Sequence, residues 1–157
     1  MRTIIVGVGN PILTDDSVGI KVARMVEEKI DRLHDVEVSE LHAGGIRLME
    51  ALVGYDRAII IDSIITDNGK PGTIYSLSPE DIMMSRHVSC AHDTYLYDAL
   101  ELGRLVGLAL PHDIRIWAIE VENTKTVSED LTDNVRKAVP IVADEIISAF
   151  MAQNIQT

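Results

Sequence analysis

Short aliphatic runs that end at glycine or an acidic residue constrain the fold of this chain more than any other feature. In the clearest run, residues 57–62, four aliphatic residues precede Asp62, and an equally apolar run at residues 3–8 leads into Gly9. Continuous apolar runs of this length, bounded by turn residues, are typical of strands buried on both faces of a parallel sheet. Because only 4% of the residues are aromatic, such a sheet must pack mainly through Ile, Val, Leu and Ala.

Amphipathic segments between these runs predict helices that alternate with the strands. The sequence predicts strands at residues 3–8, 36–41, 57–62, 73–77 and 114–119, helices at residues 16–31, 46–53, 93–107 and 131–152, and a polar loop at residues 120–130. Asp15 or Asp16 is expected to cap the first helix, and Pro140 to kink or divide the last one. The alternation predicts one α/β domain over residues 1–157, with an open, mostly parallel sheet covered by helices on both faces.

The charge and the cysteine content narrow the function and the compartment. A net charge of −11 would repel a phosphate backbone, so nucleic acid is not an expected partner. A single cysteine, Cys90, excludes an intramolecular disulfide and favours a reducing, cytoplasmic setting. The sequence predicts neither a membrane-spanning segment nor a signal peptide, so no membrane partner is expected.

Acidic residues and a histidine fall where an α/β sheet binds its ligands, beyond the carboxyl ends of the strands. Asp16 follows the first predicted strand, Asp62 ends the third, and His92 precedes the helix predicted from residue 93. A buried acid at a strand end is costly unless it meets a cation or hydrogen-bond donors. Two carboxylates and an imidazole would form a mixed oxygen and nitrogen metal site that suits nickel, zinc or iron and leaves coordination positions open.

Other polar residues carry weaker signals. Cys90 lies near His87 and His92, but the spacing is not distinctive for a nucleophile, and buried free cysteine is common. Gly7 and Gly9 lack the third glycine of a dinucleotide fingerprint. Glu120 and Glu122, in the predicted loop after the last strand, are candidates for substrate contact. Three other histidines are expected in turns or at the surface: His34, His42 and His112.

The order of these motifs resembles that of the hydrogenase maturation endopeptidases, the accessory proteases of nickel–iron hydrogenases. The opening segment, residues 6–19, joins a strand-end Gly-x-Gly-Asn to an acid pair and a further glycine. Gly44-Gly45 in the second loop, Ile61-Asp62, Pro71-Gly72-Thr73 and His92 then follow in the family's order. The resemblance extends over essentially the whole chain.

This resemblance implies a three-layer α/β/α sandwich around a five-stranded twisted sheet. It also implies that Asp16, Asp62 and His92 are the metal-contacting and catalytic positions. The metal would be nickel supplied by the substrate, the precursor of a hydrogenase large subunit, with cadmium or zinc as expected substitutes in vitro. The enzyme would sense this nickel and remove a C-terminal extension from the precursor. The loop at residues 41–46 departs from the family, because it has His42-Ala43 where an acid is expected before the glycines.

Two other classes share parts of the pattern and remain alternatives at this stage. A receiver domain of a response regulator also has an early acid pair and an aspartate after its third strand, but this chain lacks the lysine that a receiver carries after its last strand. A peptidyl-tRNA hydrolase also begins with a strand that ends in Gly-x-Gly-Asn-Pro. The acid pair is foreign to that class, and a charge of −11 would repel tRNA.

Overall fold

Strands and helices alternate along the chain in the computed structural model, which describes residues 1–30, 35–85, 88–89 and 95–155. The strands are β1 (Thr3–Val8), β2 (Val36–Leu41), β3 (Arg57–Thr66), β4 (Ile74–Leu77), β5 (Val88–Ser89) and β6 (Asp113–Glu120). The helices are α1 (Val18–Lys29), α2 (Ile46–Ala51), α3 (Pro79–Met84), α4 (Leu96–Leu105) and α5 (Asp133–Ile155). A 3-10 turn, Thr14–Ser17, leads into α1.

The main sheet has the strand order β2-β1-β3-β6-β4. β1 pairs in parallel with both β2 and β3, and β3 pairs in parallel with β6. β4 runs antiparallel to β6 at one edge, which confirms the prediction of a five-stranded, mostly parallel sheet. In addition, the two-residue strand β5 pairs antiparallel with the last residues of β3.

Helices cover the sheet on both faces and bury two apolar cores, which gives the predicted three layers. Side chains alternate between the faces along each strand, so neighbouring residues such as Ile60 and Ile61 enter different cores. α2, α3 and α4 cover the face that contains Ile60, and α1 and α5 cover the face that contains Ile61. These aliphatic side chains are buried with almost no exposed surface.

β3 continues four residues beyond the predicted strand end, because Asp62 lies inside the strand and not after it. The pairing of β3 with β6 runs on from Asp62 opposite Ala118 to Ile64 opposite Glu120. Ile64 is buried with the same core as Ile60. The acid therefore occupies a buried position of a continuing strand, and the sequence interpretation that it terminates the strand is wrong.

The helices also differ from the prediction in their boundaries. The first helix, α1, begins at Val18 and not at residue 16. Ser17, which precedes it, makes no side-chain capping hydrogen bond. Neither Asp15 nor Asp16 therefore caps α1. α3 was not predicted, and α5 passes through Pro140 without being divided. Within the described residues, no helix combines the length and the apolar character needed to cross a membrane.

Candidate active site

The carboxyl ends of four parallel strands meet along one edge of the sheet. β1, β2, β3 and β6 all run in the same direction and end at this edge. The 3-10 turn that follows β1 and the extension of β3 both lie here. Asp16 and Asp62 are thereby brought to neighbouring elements, as the sequence predicted from the assumed sheet.

Asp16 is held by donors on two separate elements. The backbone N–H of Asn10, in the loop after β1, donates to Asp16 Oδ2 at 3.0 Å. The hydroxyl of Ser63, in β3, donates to Asp16 Oδ1 at 3.2 Å. The residue is only 6% exposed, so these donors replace part of the hydration that the carboxylate loses on burial.

Asp62 is fully buried and is hydrogen-bonded to the residue that follows it. The backbone N–H of Ser63 donates to Asp62 Oδ1 at 2.7 Å. Ser63 therefore contacts both acids, one through its backbone and the other through its side chain. The two carboxylates belong to one hydrogen-bonded cluster, so in the folded protein the acid pair is Asp16 and Asp62, bridged by Ser63, and not the sequence neighbours Asp15 and Asp16.

Asp15, the neighbour of Asp16, has a different role. Its carboxylate accepts hydrogen bonds from the backbone N–H and the hydroxyl of Thr132, and from the backbone N–H groups of Glu122 and Asn123. Thr132 directly precedes α5, and Asp15 has no exposed surface. Asp15, one of the two residues considered as a cap for α1, instead fixes the loop after β6 and the residue before α5.

Glycines allow the turn that carries Asp16 to lie close to the strands. A Cβ atom on Gly9 would lie 1.9 Å from the backbone oxygen of Asp16, and one on Gly19 would lie 2.3 Å from the backbone oxygen of Ile61. Both distances are far below van der Waals contact, so a side chain at either position would displace the backbone. The glycine pattern of the opening segment therefore has a packing role: it sets the distance between α1, the turn and β3.

Glu120 is a structural residue at the end of β6 and does not lie in the predicted polar loop. It is only 2% exposed, and its Oε1 accepts hydrogen bonds from the backbone N–H and the hydroxyl of Thr66 at 2.9 and 3.0 Å. Among the described residues, its buried Oε2 makes no hydrogen bond. This burial argues against the expected contact of Glu120 with a substrate, whereas Glu122 is exposed.

The third predicted site residue, His92, lies outside the described residues, and so do His34, His87 and Cys90. His42 and His112 are exposed, as expected for surface histidines. In the part of the chain that the structure describes, no group of three or more His, Cys, Asp or Glu residues is arranged to hold a metal ion. Asp16 and Asp62 are the two predicted ligands that lie in the described part of the chain.

The sequence and the fold both match known proteins. A family model described as hydrogenase maturation protease matches residues 20–149. The chain belongs to the hydrogenase maturation protease family. It is therefore a peptidase of hydrogenase maturation, and this membership excludes the receiver domain and the peptidyl-tRNA hydrolase that the sequence left as alternatives.

Individual relatives extend the match to almost the whole of this maturation protease. It is 24% identical to the hydrogenase 2 maturation protease of Escherichia coli K12, over 99% of this chain and 94% of that protein. The solved structure of the [NiFe] hydrogenase maturation protease HybD from Thermococcus kodakarensis is 29% identical with a TM-score of 0.74, covering 96% of this chain and 99% of that one. The hydrogenase maturating endopeptidase HybD from E. coli has the same fold, with a TM-score of 0.80 at 24% identity over 98% of this chain and 94% of that one.

The sequence of this maturation protease indicated the two acids, Asp16 and Asp62, but not the role of Ser63, which is hydrogen-bonded to both. Ser63 directly follows Asp62, and nothing in the spacing indicates that its hydroxyl contacts Asp16, because the two residues are 47 positions apart. The role of Thr132 was missed for the same reason, since it lies 117 positions from Asp15. In both cases the contact depends on the placement of a loop.

Proposed function

We propose that this maturation protease binds the nickel-loaded precursor of a hydrogenase large subunit and removes a C-terminal extension from it. The observation that carries the proposal is the acid pair, two buried carboxylates bridged by Ser63 at the carboxyl edge of the sheet. In a member of this protease family, a carboxylate pair at the ligand-binding edge is best explained as part of the site that contacts the precursor. Because the relatives act in hydrogenase maturation, the protein substrate follows from the family.

The chemistry of the acid pair fits a nickel ion that arrives with the substrate. Asp16 and Asp62 supply carboxylate oxygens, and His92 is proposed to supply an imidazole nitrogen. Imidazole is a suitable ligand for nickel, and three protein ligands leave positions for the precursor's own ligands. Nickel is part of the substrate in this proposal, and cadmium or zinc should occupy the same position in vitro.

The acids also have a role that depends on this chain alone. A carboxylate at this edge of the sheet can accept the proton of an attacking water molecule, which is the usual task of a general base. Asp62 has no exposed surface and Asp16 has little, so the approach of the precursor need exclude only a small amount of water from them.

We expect the reaction to take place in the cytoplasm, since the single cysteine favours a reducing compartment.

The experiment that tests the proposal compares nickel-loaded and nickel-free precursor as substrates. Purified protease is incubated with each form, and the mass of the precursor is followed by mass spectrometry. We expect loss of a C-terminal fragment from the nickel-loaded form only. Equal cleavage of the two forms would refute the recognition of nickel. If neither form is cleaved, the proposed substrate is wrong.

Variants of the predicted ligands then test the site. Asp62→Asn and His92→Ala should abolish processing while the proteins remain folded. Asp98→Asn and His112→Ala are matched controls, because both residues are exposed, and they should retain processing. Full activity of both site variants would refute the assignment of these ligands.

The role of Cys90 requires its own variant. Cys90→Ser should retain processing, because the proposal assigns the attack to water and not to a thiol. Complete loss of activity in a variant of unchanged stability would instead favour a cysteine nucleophile.

A further inference from the structure

Ser63 is the one residue described above that contacts both members of the acid pair. Its backbone N–H donates to Asp62 Oδ1 at 2.7 Å, and its hydroxyl donates to Asp16 Oδ1 at 3.2 Å. The residue is itself 4% exposed. A buried serine that donates separately to two acidic side chains constrains where each carboxylate can lie relative to the other.

The two donors of Ser63 act on different acids and respond differently to substitution. Any residue except proline at position 63 retains the backbone N–H that contacts Asp62. Only a hydroxyl at this position retains the contact with Asp16. The side chain of Ser63 therefore controls one acid, and its removal should change the orientation of Asp16 without removing the donor to Asp62.

The orientation of Asp16 is set by hydrogen-bond donors to both of its carboxylate oxygens. The donor from Asn10 fixes Asp16 Oδ2 on one side, and the Ser63 hydroxyl draws Asp16 Oδ1 towards β3. Together they hold the Asp16 carboxylate against β3, the strand that contains Asp62, and hydrogen bonds of this kind orient the ligands of metal sites.

We propose that Ser63 is a positioning residue whose hydroxyl holds Asp16 in the orientation in which Asp16 and Asp62 together bind a divalent metal ion. The inference rests on the proposed function, because the ion in question is the nickel of the precursor. It goes beyond that function because it assigns the orientation of Asp16 relative to Asp62 to a residue that is not itself a ligand. Since the hydroxyl acts through Asp16, Ser63 is not a catalytic residue.

The test measures the binding of nickel(II), and separately cadmium(II), to the full chain by calorimetry. Ser63→Ala removes only the hydroxyl and should weaken metal binding about 10- to 100-fold, the usual effect of removing a residue that orients a metal ligand. Ser63→Thr keeps a hydroxyl and should restore the affinity towards that of the wild type. This rescue distinguishes positioning of Asp16 from a general loss of packing.

A matched control separates metal affinity from stability. Ser78→Ala also removes a serine hydroxyl with a structural hydrogen bond, here the one that caps α3 by accepting from the backbone N–H of Asp81. β4 is antiparallel to β6 and ends with Leu77 opposite Ile116, so Ser78 lies towards the other edge of the sheet. Urea unfolding should show a loss of stability in Ser78→Ala, while its metal affinity stays at the wild-type value.

The outcomes distinguish this proposal from the proposed function. If the wild type binds metal and Ser63→Ala binds it equally well, the positioning role is refuted and the proposed function stands. Metal binding that weakens equally in Ser63→Ala and in a cooperatively folded Ser63→Thr would also refute the role of the hydroxyl. If the wild type binds neither ion, both this proposal and the nickel contact fail, and membership of the protease family is unaffected.

Discussion

The carboxylate of Asp15 accepts hydrogen bonds from both the backbone N–H and the hydroxyl of Thr132, which lies 117 residues further along the chain. Through this contact, the turn after β1 is joined to the residue before α5. The backbone N–H of Asp15 also donates to the carbonyl oxygen of Asn123 at 2.9 Å. The position of Asp16, the next residue, is therefore fixed by the loop after β6 as well as by β3.

Replacing Asp15 should destabilise the protein even though the residue is not proposed to touch a substrate. In Asp15→Asn the side chain keeps one acceptor oxygen, so some of the donors from Thr132, Glu122 and Asn123 lose their partner. Unsatisfied buried donors cost about 1–3 kcal/mol each, and we expect the free energy of unfolding to fall by about 2–4 kcal/mol. Urea unfolding measures this change, and Asp133→Asn, at an exposed acid, is the control.

Gly19→Ala should destabilise the protein by displacing α1 from the sheet. The new Cβ would lie 2.3 Å from the backbone oxygen of Ile61 and 2.6 Å from that of Val8. Backbone atoms cannot move aside as a flexible side chain can, so the loss should reach about 1–3 kcal/mol or more. Thermal unfolding measures it, with Glu28→Ala on the exposed face of the same helix as control. Equal stability of the two variants would contradict the close approach.

Two substitutions of Glu120 should have different effects on stability. Glu120→Ala leaves the backbone N–H and the hydroxyl of Thr66 without their acceptor, which should cost about 1–3 kcal/mol for each buried donor. Glu120→Gln keeps an oxygen that can accept both hydrogen bonds and should lose much less. Urea unfolding measures the loss in the free energy of unfolding for each of the two variants. A direct role in substrate binding would instead reduce processing by both variants at unchanged stability.

The capping box of α3 should make a small part of the stability depend on pH. The backbone N–H of Ser78 donates to Asp81 and, with the Ser78 side chain, lowers the pKa of that carboxyl below its usual value. Because the folded pKa is the lower one, this stability is present above the unfolded value of about 3.9. It is lost as the pH falls through the folded pKa. Thermal unfolding from pH 7 to pH 3 should therefore show the difference between wild type and Asp81→Asn shrinking at acid pH.

The fold could be predicted from the sequence because its strands are buried on both faces. Residues 4–8 of β1 and residues 58–61 of β3 include no polar side chain, and such a pattern is typical of a strand buried on both faces. The end of β3 was misplaced because an acid usually ends such a run, and Asp62 does not. Its burial depends on Ser63 and on neighbouring elements that the local sequence cannot reveal.

The boundaries of some helices were predicted wrongly for a similar reason. Asp15 and Asp16 have the composition of a helix cap, but the tertiary contacts with Thr132 and with Ser63 compete for their carboxylates. α3 was missed because its six residues are too few for a periodic apolar pattern to be recognised. Its capping box at Ser78 and Asp81 was the available signal.

By itself, the sequence determined the layered α/β architecture, and it predicted the carboxyl edge of the sheet as the place of the proposed site and the acids that lie there. Each of these depends on the order of apolar and polar residues along the chain, which is a local property. Only the tertiary structure decided which acid stabilises the fold and which contacts Ser63 in the proposed site. Asp15 and Asp16 are adjacent and chemically identical, and they differ because donors from distant segments, Thr132 for one and Ser63 for the other, lie within hydrogen-bonding distance.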